Sequence, residues 1–305
     1  MKSTRRGFIK AACAGAGLYV LAPGLSYAAE EKTFGPDEVG MLYDSTLCVG
    51  CKACVYSCKA ANFDSDDSSK LSKEDSEDTR WFNVYDLDYK TKNIIKLYEE
   101  KNANGEVVDF AFIKRQCMHC KSAGCVSACP VSAMIKNPET GVVEYYKNRC
   151  IGCRYCQMAC PFNVPKFEWH RAIPKITKCE LCRENENTNG TPACCTVCPT
   201  KAVIYGKRAS LLSTAKKRIS AEPGKYINKI YGEYDYGGTN VLYLSKVDFE
   251  KLGMPNLPDY SFATKSETVQ HTIYKGFIAP VALYAVLAVF ALKHKSKRDK
   301  EGGDK

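Results

Sequence analysis

Apolar and polar residues alternate in short bursts along the middle of the chain, a pattern that predicts strands rather than long helices. Trp81 to Asp88, Asn93 to Tyr98 and Val107 to Lys114 read as strands, with Gly105 turning the chain before the last of them. Ala133 to Lys136 and Val142 to Tyr145 flank Asn137-Pro138-Glu139-Thr140-Gly141, a hairpin signature. Ala202 to Tyr205 and Val241 to Leu244 are further strands, and Ser210 to Ile219 reads as a helix ended by Pro223-Gly224. Residues 29–45 read as a lead-in, and Asp64 to Arg80, rich in Asp, Glu, Ser and Lys, as a solvated loop.

The two ends carry longer apolar stretches. Ser3-Thr4-Arg5-Arg6-Gly7-Phe8-Ile9-Lys10 precedes an apolar run from Ala11 to Ala22, and Ser26-Tyr27-Ala28 offers small residues for cleavage. Residues 1–28 are therefore expected to be a signal peptide with a twin-arginine core. Thr272 to Leu292 is apolar apart from Lys275 and is expected to form a transmembrane helix, since its 21 residues would span about 31 Å as a helix. Lys293, Lys295, Lys297 and Arg298 follow at once. By the positive-inside rule the tail 293–305 is then expected in the cytoplasm, with the body on the periplasmic face of the membrane.

Composition changes this picture in one respect. Eighteen cysteines occur in 305 residues, and all but Cys13 fall in four runs, 48–58, 117–129, 150–160 and 179–198, sixteen of them at ligand spacing. The net charge of +10 is concentrated at the ends: +4 lies in residues 1–28 and +3 in 293–305, which leaves +3 between. Four cubane clusters on thiolates would add roughly −2 each. The loaded middle is mildly acidic, which argues against nucleic-acid binding.

Run three, Cys150-x2-Cys153-x2-Cys156-x3-Cys160-Pro161, has the bacterial ferredoxin spacing, in which the fourth cysteine ligates a neighbouring cluster. A tight loop brings three sulfurs to one cube, and the fourth cysteine is carried towards the next. Run one is Cys48-x2-Cys51-x2-Cys54-x3-Cys58, followed by Lys59 rather than proline. Run two is Cys117-x2-Cys120-x4-Cys125-x3-Cys129-Pro130, and run four is Cys179-x2-Cys182-x11-Cys194-x3-Cys198-Pro199. Cys194 and Cys195 compete for one place, and Cys194 restores the x3 gap, so Cys195 is taken as a non-ligand. Four runs predict four 4Fe-4S clusters with the sixteen cysteines as iron ligands.

Rival chemistry fits less well. Structural zinc uses two CxxC pairs rather than three cysteines within seven residues and a Cys-Pro. A disulfide framework needs partners at bridging distance, which cysteines three apart rarely all find. Cys13 lies in the expected signal and reads as a small apolar residue. His119 reads as a packed or exposed histidine rather than a tuning residue. Lys52, Lys59, Lys121, Arg149 and Lys178 are either counter-charges to the clusters or surface bases. No nucleotide loop, nucleophile elbow or His/carboxylate metal motif occurs, so no catalytic residue is expected and the chain reads as an electron relay.

The four-run array resembles the four-cluster ferredoxin-like subunits of bacterial respiratory oxidoreductases. The segments from Gly40 to Cys51, Gln116 to Cys120, Gly152 to Cys156, Gly237-Gly238-Thr239 and Gln270 to Gly276 resemble HybA-type iron–sulfur subunits of hydrogenase-2-type nickel–iron hydrogenases. The resemblance implies an α+β fold of two ferredoxin-like two-cluster domains, one inserted in the other, plus the C-terminal transmembrane helix. The first domain would comprise 29–110 and 176–250 (runs one and four), and the second 111–175 (runs two and three). A linker over 251–271 would lead to the membrane helix.

The resemblance also implies the ligand sets. Cys48, Cys51, Cys54 and Cys198 would hold cluster 1, and Cys58, Cys179, Cys182 and Cys194 cluster 2. Cys117, Cys120, Cys125 and Cys160 would hold cluster 3, and Cys129, Cys150, Cys153 and Cys156 cluster 4. The implied partners are hydrogenase small and large subunits and an integral membrane quinone-reactive subunit. A molybdenum oxidoreductase of formate dehydrogenase or reductase type is the alternative client.

Overall fold

The computed structural model describes residues 33–62, 85–169, 174–183 and 190–267, together with 284, 287, 288, 291 and 292. The expected signal at 1–28, the solvated loop at 64–80 and the first half of the expected strand at 81–88 lie outside the described residues. The chain divides into two compact units, one of Lys32–Thr264 and one of Met1–Glu31 with Lys265–Lys305. All the named strands and helices belong to the first.

In chain order these are β1 (Val39–Asp44), α1 (Ala53–Ala61), β2 (Ile94–Lys101), β3 (Val107–Arg115), α2 (Gly124–Ser127), β4 (Met134–Lys136), β5 (Val143–Tyr145), α3 (Tyr155–Met158), β6 (Lys166–Phe167), β7 (Ile176–Thr177), α4 (Ala193–Thr196), β8 (Val203–Lys207), α5 (Arg208–Ala221) and β9 (Val241–Leu244). The expected strand at 81–88 does not form over its described part. Residues 85–88 contribute only a bridge from Asp88 to Thr91.

The central sheet has the order β8-β1-β9, with β1 antiparallel to β8 and parallel to β9. Its two faces follow the period of two along a strand. Met41, Tyr43, Val241 and Tyr243 point into the cysteine-bearing core. Leu42, Leu242 and Leu244 point the other way, onto Leu211 and Ala215 of α5. Both faces of β1 are covered, so its residues from Gly40 onward are all buried. A strand covered on both sides shows no alternation, which is why residues 39–44 resemble a featureless lead-in.

This sheet joins distant parts of the chain. β1 leads into run one and β8 leaves run four, and α1 of run one packs on α4 of run four. Asp44, fully buried at the end of β1, accepts hydrogen bonds from Arg218 Nη1 at 2.8 Å and Tyr226 Oη at 3.0 Å. Runs two and three are linked by the short hairpin β4–β5, and α2 packs on α3. Two ferredoxin-like halves result. Residues 251–264 bury Leu252, Met254 and Ala263, and Tyr231 donates to the Pro255 carbonyl at 2.7 Å.

The expected membrane anchor is corrected here. Among the described residues no helix is long and apolar enough to cross a membrane. The longest helix with described bounds is α5, whose 14 residues extend only about 21 Å and carry charges along their length, whereas a span needs about 20 apolar residues. Within 272–292 only 284, 287, 288, 291 and 292 are described. The fold class therefore stands as two ferredoxin-like halves without the transmembrane helix. The membrane-anchored localisation, with its cytoplasmic tail, is withdrawn with it.

Candidate functional site

All four cysteine runs share one local geometry. The residue before the second cysteine has a positive φ in every run: Gly50 at 69°, His119 at 48°, Gly152 at 70° and Leu181 at 56°. Its backbone N–H donates to the sulfur of the first cysteine, Cys48, Cys117, Cys150 and Cys179 respectively. Such left-handed turns aim successive amides at a common point and suit an anion. Glycine adopts the turn freely in runs one and three, and a Cβ at Gly50 would come within 2.3 Å of the Phe112 ring.

The fourth cysteines divide three to one. After Cys129, Cys160 and Cys198 comes proline, and the third residue on is left-handed: Ser132 at 50°, Asn163 at 52° and Lys201 at 53°. This second turn returns amides to the sulfur, as when Ala133 donates to Cys129 Sγ at 3.2 Å. Cys198 receives N–H groups from Val203 and Ala202 and the Thr200 hydroxyl. Burial would raise its thiol, but these donors leave it lowered. Run one has Lys59 where the others have proline. Its helix α1 therefore continues past Cys58 to nine residues, whereas α2, α3 and α4 stop at four.

The structure gathers the sixteen cysteines into four groups. Cys48, Cys51, Cys54 and Cys198 line one small cavity. Cys129, Cys150, Cys153 and Cys156 line another. Cys58 lies in electrostatic reach of Cys194 and Cys182, and Cys179 in reach of Cys58 and Cys194. Asn62 Nδ2 joins that group, 3.5 Å from Cys182 Sγ and 3.8 Å from Cys58 Sγ. Cys120 stands among Cys160, Cys117 and Cys125. Cys195 is buried beside Cys194, and the two side chains are in hydrogen-bond contact.

The donor set fits a polynuclear cluster. Among the described residues no three Cys, His or carboxylate side chains close on a single metal ion; the sulfurs instead surround cavities. As bare thiols these groups resist ionisation. Burial pushes Cys54, Cys58 and Cys160 up to about 11 and Cys156 up to about 12. Four thiolates at one such site therefore need cations among them, which iron supplies. The Lys114 ammonium gives a second sign. Its Nζ is fully buried without a hydrogen-bond partner and lies among Cys194, Cys54, Cys58 and Cys179. An isolated buried ammonium is very costly, so an anion belongs beside it.

Several contributors carry little sequence signal. Tyr43 and Tyr145 each precede the first cysteine of a run by five residues, and each hydroxyl meets that cysteine's sulfur, Cys48 or Cys150. The repeated Tyr-x4-Cys spacing could have revealed them. Lys114 ends an ordinary alternating strand, and nothing in the sequence marks it as buried. His119 is fully buried, and its Nδ1 accepts the Val143 N–H at 3.0 Å, which ties the run-two loop to β5. Burial, then Lys178 and Lys136, hold His119 well below the usual histidine range, so it is neutral. Lys178 is also buried, and its Nζ donates to the carbonyls of Val143 and Cys179. Lys121 lies over the Phe34 ring.

Four thiolate-lined sites in paired ferredoxin-like halves define an iron–sulfur protein of the dicluster ferredoxin class. Residues 47–133 and residues 108–208 each match a family model described as a 4Fe-4S dicluster domain, which together amount to four 4Fe-4S clusters. The chain is 42% identical to Hydrogenase-2 operon protein HybA of Escherichia coli O157:H7, over 98% of this chain and 98% of that protein. The HybA of Shigella flexneri aligns equally. The nitrate-inducible formate dehydrogenase iron-sulfur subunit of Escherichia coli K12 is 30% identical over 83% of this chain and 82% of its own length. The chain belongs to the HybA family of iron–sulfur subunits, and it is an iron–sulfur electron-transfer subunit.

Proposed function

We propose that the chain is a non-catalytic relay between the small and large subunits of a nickel–iron hydrogenase and an integral membrane quinone-reactive subunit. The observation that carries this reading is the likeness to Hydrogenase-2 operon protein HybA, which runs the length of both chains. The formate dehydrogenase subunit is a more distant relative, so a molybdenum client fits less well. The ligand sets are Cys48, Cys51, Cys54 and Cys198; Cys58, Cys179, Cys182 and Cys194; Cys117, Cys120, Cys125 and Cys160; and Cys129, Cys150, Cys153 and Cys156. The inserted domain 111–175 carries the last two sets, and the flanking segments 29–110 and 176–250 carry the first two.

The clusters, when bound, supply one-electron carriers. The protein orders them in a row. Cys54 of the first set is in reach of Cys194 of the second, Cys179 of the second in reach of Cys117 of the third, and Cys125 of the third in reach of Cys156 of the fourth. The ends of the row open outward. Cys51 and Cys153 are exposed, whereas every cysteine of the third set but Cys160 is buried. An exposed apolar side chain lines each opening, Val49 at one and Ile151 at the other. Residues of this kind suit contact with a redox partner.

Metal analysis of the protein, purified anaerobically with whatever holds to it, tests the reading. About sixteen irons per chain with stoichiometric nickel are expected. Iron with molybdenum or tungsten would move the client to the alternative, and zinc without iron would overturn the relay itself.

A further inference from the structure

Two lysines are buried among the cysteines, and their surroundings differ. Lys178 is satisfied by two backbone carbonyls. Lys114 is 0% exposed, and its Nζ has neither a hydrogen-bond partner nor an ion pair among the described residues. The fold fixes where it sits. Lys114 pairs across the β2–β3 ladder with Ile95, which lines the cavity of the first cysteine set. Two residues earlier on the same strand, the Phe112 carbonyl accepts the Tyr43 hydroxyl at 2.8 Å, and Tyr43 lines the same cavity. The cysteines around the ammonium come from two sets: Cys54 from the first, and Cys194, Cys58 and Cys179 from the second.

We propose that Lys114 supplies a fixed positive charge between the first two clusters of the row and raises their reduction potentials. The proposal rests on the four-cluster reading above. Reduction adds a negative charge to a cluster, and a nearby cation favours the more negative state. In a buried site this attraction is weakly screened, and net charge is among the main determinants of cluster potential. Lys114 is buried with its Nζ unpartnered, opposite a residue that lines the first cysteine cavity, and a cluster held there would carry the net negative charge that the ammonium lacks. Nothing equivalent is needed at Lys178, whose charge already meets carbonyl dipoles.

The test is an EPR-monitored redox titration of the full-length protein in its purified assembly, comparing wild type with K114M, K114Q and K114R. Iron content is measured on each sample. The neutral variants are expected to keep about sixteen irons while one or two of the four clusters become harder to reduce. At fixed potential their reduced-to-oxidised ratio should fall at least tenfold, which is about 59 mV for a one-electron couple. K114R should restore values close to wild type. Unchanged potentials in iron-replete K114M or K114Q would overturn the proposal. Loss of iron from every neutral variant, with K114R loaded, would also overturn it as a potential-setting charge and make Lys114 an assembly requirement. Wild-type protein without iron would instead refute the cluster reading.

Discussion

The two halves of the molecule use the same loop but are closed by different means. In the half built from runs two and three, a short hairpin, β4–β5, joins the paired loops, and His119 ties one loop to that hairpin. In the half built from runs one and four, partners come from far apart; Asn62 and Cys182, whose side chains meet, are separated by 120 residues. Closing a long loop costs more conformational entropy than closing a short one, though the cost grows slowly. The long-range half answers with a three-stranded sheet, a covering helix and a buried carboxylate network at Asp44. A ferredoxin loop is thus a local property of cysteine spacing, whereas the pairing of loops belongs to the strands that carry them.

The largest expected effect separates adjacent cysteines in the long-range half. C194S should lose the second cluster, about four irons per chain, whereas C195S should keep the full complement. Equal losses from both would break the proposed ligand set. Next come the left-handed glycines, one in each half. G50A and G152A each add about 1 kcal/mol of backbone strain, and the new Cβ would meet the Phe112 ring at 2.3 Å or Pro174 Cδ at 2.7 Å. Each should selectively destabilise its own terminal cluster, detected as one fast phase when a chelator bleaches the brown colour.

The carboxylate network gives a smaller, one-sided effect. Asp44 is fully buried while Arg218 is about a quarter exposed, so D44N should cost about 1–3 kcal/mol. Bleaching should accelerate for the two clusters of runs one and four and stay unchanged for the other two. Acceleration of all four would mean that the halves unfold as one unit. The smallest effect is expected at the surface. Lys251 and Glu100 pair at 3.1 Å with both side chains open to solvent, and K251A should leave the bleaching rate and the thermal midpoint unchanged.

Much of this organisation can be read from residue order, for identifiable reasons. Strands with one solvated face, such as Val107 to Lys114, show alternation, and they form close to where it predicts. Asn137 to Gly141 carries its turn in its chemistry. β1 escapes because burial on both faces erases the alternation that would mark it. At the site, cysteine spacing announces the loops and the Cys-Pro steps announce the second turn. Left-handed turns at His119 and Leu181 are hidden, since neither residue adopts them as freely as glycine does; only their equivalence in position with Gly50 and Gly152 exposes the pattern. Lys114 is invisible because burial of a strand-end lysine depends on what packs over it. The expected membrane helix at 272–292 came from hydropathy and a basic flank alone, and no described helix supports it.

The central claim is that this chain carries four cubane clusters, two in each half. Mössbauer spectroscopy of protein grown on 57Fe and purified anaerobically, with iron and acid-labile sulfide counted on the same sample, tests it most directly. About sixteen irons and sixteen sulfides per chain, all in 4Fe-4S signals, are predicted. Fewer than about twelve irons, or iron in mononuclear sites, would contradict the account.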